Sequence, residues 1–195
     1  MKAKIRFILI GFIIIIVPLG FIIKRSIAID IQKEAIDLNQ IGYFDRAMDK
    51  IDLAIRLAPR NYLFYATKAQ FLEAQRKYSK AIIQFKKISE FKENYAEGFV
   101  AIGMNYERLE MTDSAKIAYN SALRSYNYRI QKYDKDRESL YGERLNRGFV
   151  YALLGDTASA KLEFDLLKSD YPEYVMFIEQ IELIDIEKDF LNKYN

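Results

Sequence analysis

Small and large side chains recur in this chain every thirty-four residues, and that period restricts the available folds more than any other feature. Ala47, Ala81 and Ala115 stand thirty-four apart, each followed four residues later by a large side chain: Ile51, Phe85 and Tyr119. Residues four apart share one face of an α-helix, so each pair sets a gap beside a bulk on a helix surface. Counting back from the alanines gives Ile31, Tyr65 and Phe99 at a large position, then Ala35, Ala69 and Gly103 at a small one, then Leu38, Leu72 and Tyr106. Counting forward gives Ala54, Ile88 and Ala122. A fourth copy carries Gly148, Tyr151, Gly155, Ala160, Phe164, Leu167 and Pro172, the last five parallel to Gly42, Ala47, Ile51, Ala54 and Pro59.

This phrase resembles that of the tetratricopeptide repeat family in both period and pattern. The resemblance implies an all-α, helix-turn-helix repeat solenoid of four copies at residues 28–61, 62–95, 96–129 and 141–174, closed by a capping helix over 175–195. Each copy would be an A helix and an antiparallel B helix, with small residues letting the backbones approach and large ones filling the space beside them. No copy can bury its apolar face alone, so stability would come from stacking, and the A helices would form a concave inner wall. The chain departs from the family pattern at Glu34-Ala35 and Lys68-Ala69, while Ile102-Gly103 keeps it; Arg144 and Arg147 stand where apolar residues are expected.

Residues 7–23, opening at Phe7 and closing at Ile23, contain no charge and are bracketed by Lys2, Lys4 and Arg6 before and Lys24 and Arg25 after. As a helix this run reaches the short end of what spans a bilayer, and flanking Lys and Arg side chains extend its reach. Pro18 and Gly20 do not forbid it. Residues 1–27 therefore read as an N-terminal membrane anchor, one transmembrane helix, with the repeat domain over 28–195. A cleaved secretory signal is the alternative, since Ser26-Ile27-Ala28 offers small residues near a cut; the length of the run and Lys24-Arg25 argue against it. Three basic residues before the run and two directly after favour a cytoplasmic N-terminus and an exported repeat domain. The absence of Gly and Pro between Lys24 and Ile41 lets this helix continue stiffly into the first A helix.

The net charge of +3 is uneven along the chain. The first 25 residues hold five basic groups and no acid, leaving 25 basic against 27 acidic groups in the remainder. A slightly acidic globular part is a poor nucleic-acid binder, because phosphate contacts need clustered cations. The basic stretch of Lys68, Arg76, Lys77, Lys80, Lys86, Lys87 and Lys92 reads as a solvated helix face. With no Cys, His or Trp in the chain, thiol chemistry, imidazole bases and soft metal ligation are excluded. There is no Gly-rich phosphate loop or nucleophile elbow, and the acids lie spread at helical spacing, so no enzyme activity, catalytic residue, metal site or cofactor is expected.

Eleven extra residues, 130–140, separate the third and fourth copies. Tyr119, Leu123, Tyr126, Ile130 and Tyr133 continue one helical stripe, which predicts a lengthened B helix and a turn near 134–136. The acids Asp134, Asp136 and Glu138 lack the glycine and spacing of a calcium loop. At the C-terminus, residues 175–191 read as a capping helix with Ile178, Ile181 and Ile184 inward and Glu179, Glu182, Asp185, Glu187 and Asp189 outward. Met176, Phe177, Leu183 and Phe190 beside that stripe leave a homodimer contact open.

The family resemblance further implies ligand-facing positions on the A helices. They are Gln32, Ile36, Asn39 and Gln40; Ala66, Gln70, Glu73 and Ala74; Val100, Met104, Glu107 and Arg108; and Leu145, Phe149, Ala152 and Leu153. The basic clusters and asparagines with which some members clamp a C-terminal carboxylate are missing from this set. A mixed groove of this kind suits an extended or helical peptide segment of a partner protein. For Leu145, Phe149 and Leu153, packing against the lengthened helix or the cap stays equally open. The expected function is a membrane-tethered interaction scaffold, with a structural subunit of a larger membrane assembly and a cleaved, exported soluble adaptor as alternatives.

Overall fold

The computed structural model describes the backbone of residues 2–132 and 137–186 and the side chains of 19–132, 138 and 140–180. All regular structure among the described residues is helical: α1 (Lys2–Gln40), α2 (Phe44–Leu57), α3 (Tyr62–Ala74), α4 (Tyr78–Ser89), α5 (Ala96–Glu107), α6 (Thr112–Lys132), α7 (Arg137–Leu153), α8 (Thr157–Asp170) and α9 (Val175–Ile186), with a 3-10 turn at Pro172–Tyr174. The chain forms two compact units, Met1–Gln84 and Phe85–Asn195.

In the first unit α1 runs unbroken through Pro18 and Gly20 to Gln40, then turns back into α2. Ala28 and Ala35 of α1 meet Ala47, Ile51 and Ala54 of α2, and Phe64 and Phe71 of α3 close the cluster. Ala35, Ala47, Ile51 and Phe64 retain no exposure. Lys50 pairs with Glu34 at 2.7 Å and Lys68 with Asp52 at 2.5 Å, both partly solvated. Such pairs are worth at most about 1 kcal/mol, whereas burying a side chain such as Ile51 or Phe64 is worth about 1.5–3 kcal/mol, so the apolar stripe holds the helices and the charges orient them.

The second unit shows why the repeat phrase needs its small residue. A Cβ on Gly103 would fall inside the Tyr119 ring, and a Cβ on Gly148 would come within 2.7 Å of the Phe164 ring. The aromatic side chain of each B helix thus rests on bare backbone of its A helix. Tyr119, Ala115, Ala122 and Tyr126 of α6 pack with Ala96 and with Val150 of α7. Past the third copy α6 continues to Lys132, and α7 starts at Arg137, four residues ahead of the start read from the repeat register. Ala160, Phe164 and Leu167 of α8 pack with Tyr171 and with Ile178 of α9, which is fully buried.

Several sequence readings fall outside the described residues: Tyr133 and the turn at 134–136; the side chains of Ile181, Glu182, Leu183, Ile184 and Asp185, and everything read beyond Ile186, including Glu187, Asp189 and Phe190; and the side chains of residues 7–18 of the apolar run. Among the described residues no helix is long and apolar enough to cross a membrane.

One turn design is used four times. Gly42, Arg76, Glu110 and Gly155 end the four A helices with φ of 86°, 56°, 60° and 76°. In each, the next residue donates its N–H back to a carbonyl five positions earlier: Tyr43 to Leu38 at 2.9 Å, Lys77 to Leu72 at 2.8 Å, Met111 to Tyr106 at 2.9 Å and Asp156 to Tyr151 at 3.0 Å. This is a left-handed helix cap, natural for glycine and costly for a residue with a Cβ. Arg76→Gly and Glu110→Gly are each expected to stabilise the chain, and Gly42→Ala and Gly155→Ala to destabilise it, by about 1 kcal/mol, the left-handed penalty less the entropy of glycine. Urea denaturation of the four variants checks the sign at each position.

Candidate partner-binding faces

In the first unit α1 and α3 lie side by side, joined by a hydrogen bond of 2.7 Å from Gln32 Nε2 to Thr67 Oγ1. Ile36 leans on the core cluster with part of its surface open. Asn39 and Glu73 are half-buried and Gln70 is exposed. The Asn39 carboxamide oxygen is buried without a hydrogen-bond partner among the described residues. Ala66 is half-buried, so these A-helix positions of the unit present small and polar side chains, with Ile36 the one large apolar group among them.

The second unit's face is more apolar. Val100 and Met104 press one side into the cluster around Tyr119 and Val150 and leave the other side open. One turn further, Glu107 is half-buried with Arg108 beside it at the surface. Burial lifts the Glu107 carboxyl above its ordinary value, opposed in part by the Tyr119 hydroxyl and Arg108. Burial and the Glu107 charge push the Tyr119 hydroxyl upward in turn. Glu107 Oε2 and the Tyr119 hydroxyl nonetheless make no hydrogen bond of good geometry with each other or with any other described group. On α7, Leu145 packs towards Phe164 and Ile178, and Leu153 towards Tyr119 and Val150, while Phe149 is half-buried outside both clusters.

The periodicity missed the polar framework that supports this face. Arg144 and Arg147 clamp the buried carboxylate of Glu163: Arg144 Nε donates to Oε1 at 2.7 Å and Arg147 Nε to Oε2 at 3.0 Å. Arg144 also reaches Asp170 at 2.6 Å, and Arg147 donates to Asn127 Oδ1 at 2.9 Å, tying α6, α7 and α8 together. The signal was present in two arginines one helical turn apart and an acid wedged between Leu162 and Phe164. Arg129 makes a second bridge, to Glu97 at 2.6 Å and Glu143 at 2.7 Å, with its guanidinium over the Tyr126 ring. Burial alone would raise the Glu97 carboxyl, but hydrogen bonds and charge from Arg129 hold it below its ordinary value.

Among the described residues no group of three or more acidic, His or Cys side chains could hold a metal ion. No family model matches the chain. Over 82 residues the chain is 32% identical to the Hsp70-Hsp90 organizing protein of Triticum aestivum, a stretch that is 42% of this chain and only 14% of that protein. The crystal structure of MamA superposes with a TM-score of 0.51 at 14% identity, covering 76% of this chain and 81% of that one. The structure of YrrB, described as a TPR protein with an unusual peptide-binding site, gives a TM-score of 0.48 at 19% identity, covering 74% of this chain and 69% of that one. The helix-turn-helix repeat and the MamA likeness establish a repeat fold of the tetratricopeptide type.

Two outcomes are expected. Glu163→Ala leaves two guanidinium groups in a partly buried site without their carboxylate and should cost about 3–5 kcal/mol by chemical denaturation. Glu107→Gln should raise the thermal midpoint at neutral pH. A carboxyl whose folded pKa is raised takes up a proton on folding, so wild-type stability falls as pH rises from the ordinary value of 4.5 through the raised one, and the difference between wild type and Glu107→Gln should grow across that window.

Proposed function

We propose that this chain is a membrane-tethered interaction scaffold whose A-helix faces hold a segment of a partner protein. The observation that carries the reading is the double role of Ile36, Val100 and Met104. Each has one side seated in a core cluster and the other left open, at the register where the repeat family receives ligands. Open apolar surface of this kind accepts a partner's side chains, while Gln70 and Glu73 on the first unit's face, and Glu107 and Arg108 on the second's, each supply polar and charged groups that select what binds there. The Hsp70-Hsp90 organizing protein similarity fits a protein partner, though the chain spans only 14% of that relative.

Tethering by residues 7–23 is supported by the basic flanks of that run and by the single helix Lys2–Gln40, which carries it into the first hairpin without a joint. The charge bias favours a cytoplasmic N-terminus with the repeats exported. A tether confines the scaffold near the bilayer and so raises the effective concentration of any membrane-bound partner. A homodimer through α9 is the reading of Met176 and Phe177, exposed at 78% and 51%.

Val100→Glu combined with Met104→Glu is expected to cut crosslinked partner recovery from native membranes about tenfold, a loss of about 1.4 kcal/mol, with the circular dichroism spectrum unchanged. Recovery equal to wild type would remove the second unit's face from the binding surface. Carbonate extraction with N-terminal sequencing tests the tether: the full chain should stay with the membrane, and a soluble chain beginning near Ile29 would replace the anchor with a cleaved signal.

A further inference from the structure

We propose that the first unit carries a binding site for the phosphate of an anionic phospholipid, placed where α1 emerges from the apolar run; it rests on the membrane-tether reading above. A cleft of about 330 Å³ lies between α1 and the connection from α2 to α3, with Phe21 and Arg25 on one side and Arg60, Tyr62 and Leu63 on the other.

The convergence follows from helix geometry. Phe21, Arg25 and Ala28 are spaced four and three apart and so share one face of α1. Ala28 is fully buried in the same cluster as Ala58, which forms part of the cleft wall. That shared core contact aims the whole stripe at residues 58–63 and brings Arg25 towards Arg60. Both arginines are exposed, and neither has a carboxylate partner or any other hydrogen bond among the described residues. The described lining of the cleft carries no acidic side chain, so the two guanidinium groups leave it net positive.

The rim selects a lipid over a free anion. Phe21, Ile22 and Leu63 are exposed at 59%, 61% and 47%, and Leu19 and Ile23 continue that open apolar surface towards the N-terminal run. A soluble phosphate would use the arginines and leave this surface wet. A phospholipid satisfies both, its phosphate forked by guanidinium donors and its glycerol and acyl region against the apolar rim. Guanidinium groups just outside an apolar helix lie at headgroup level, within reach of the phosphate of an anionic lipid in that leaflet.

The test uses the full chain in nanodiscs of phosphatidylcholine with and without phosphatidylglycerol, reading the phosphatidylglycerol retained per protein by native mass spectrometry. Each basic side chain at a membrane surface is worth on the order of fivefold in affinity, so Arg25→Gln with Arg60→Gln should lower the apparent affinity by at least about an order of magnitude. Lys33→Gln with Arg46→Gln, which removes equal charge outside the cleft, should retain lipid as wild type does, and circular dichroism should report all variants folded. Equal retention by the cleft variant overturns the site, as does inorganic phosphate competing as well as a short-chain phosphatidylglycerol. Carbonate extraction separates the two readings: a chain that stays in the membrane but shows no lipid preference refutes the site alone, and a chain released by carbonate refutes both.

Discussion

The close approach of paired helices is the constraint from which the rest of this structure follows. Where Tyr119 meets Gly103 and Phe164 meets Gly148, the ring occupies the space that a side chain on the opposite helix would need. Each contact buries an aromatic ring with little backbone separation, which is how a short hairpin can bury enough apolar surface to persist. In the first unit Ala28 and Ala35 play the same part with a single methyl group. The requirement also fixes rotation: once the small residue of an A helix faces its B helix, the positions one turn away must face elsewhere, and these are the positions proposed for a partner.

The turns set where each contact falls. A left-handed cap at Gly42, Arg76, Glu110 and Gly155 closes every A helix with the same hydrogen bonds, so the B helix starts at the same phase in each copy. Two of the four use residues with a Cβ, which shows that the closing hydrogen bonds and the packing behind them outweigh the local backbone cost. The Arg144, Arg147 and Glu163 cluster shows a similar balance. Burying three charged groups is unfavourable singly, but two guanidinium groups sharing one carboxylate, with Asn127 and Asp170 as further acceptors, satisfy most donors at once.

The hairpins were legible in the chain because packing repeats and leaves a period. Ala47, Ala81, Ala115 and Ala160, together with Ile51, Phe85, Tyr119 and Phe164, are all buried. What departs from the period could not be read the same way. Arg144 and Arg147 looked like defects in an apolar stripe, since their partner Glu163 lies on another helix and nothing local joins them. The early start of α7 at Arg137 was hidden by the inserted residues, whose register belongs to no other copy. The cleft beside Arg25 and Arg60 joins residues thirty-five positions apart, which the packing of α1 on α2 and α3, with Ala28 and Ala58 in one cluster, brings together.

On the proposed reading, the choice of partner rests on positions that the core packing leaves partly open. A residue such as Ile51 is specified by its neighbours, whereas Ile36, Val100 and Met104 are only partly buried among the described residues and keep an open edge. Glu107 sharpens this point. Burial raises its carboxyl, and its Oε2 has no hydrogen bond of good geometry among the described residues, a combination that works against folding at neutral pH and that a glutamine of nearly the same size avoids. An arriving amide or ammonium donor from a partner would satisfy the carboxylate and remove that opposition. If the proposed face holds a partner, binding and stability would therefore draw on the same side chain.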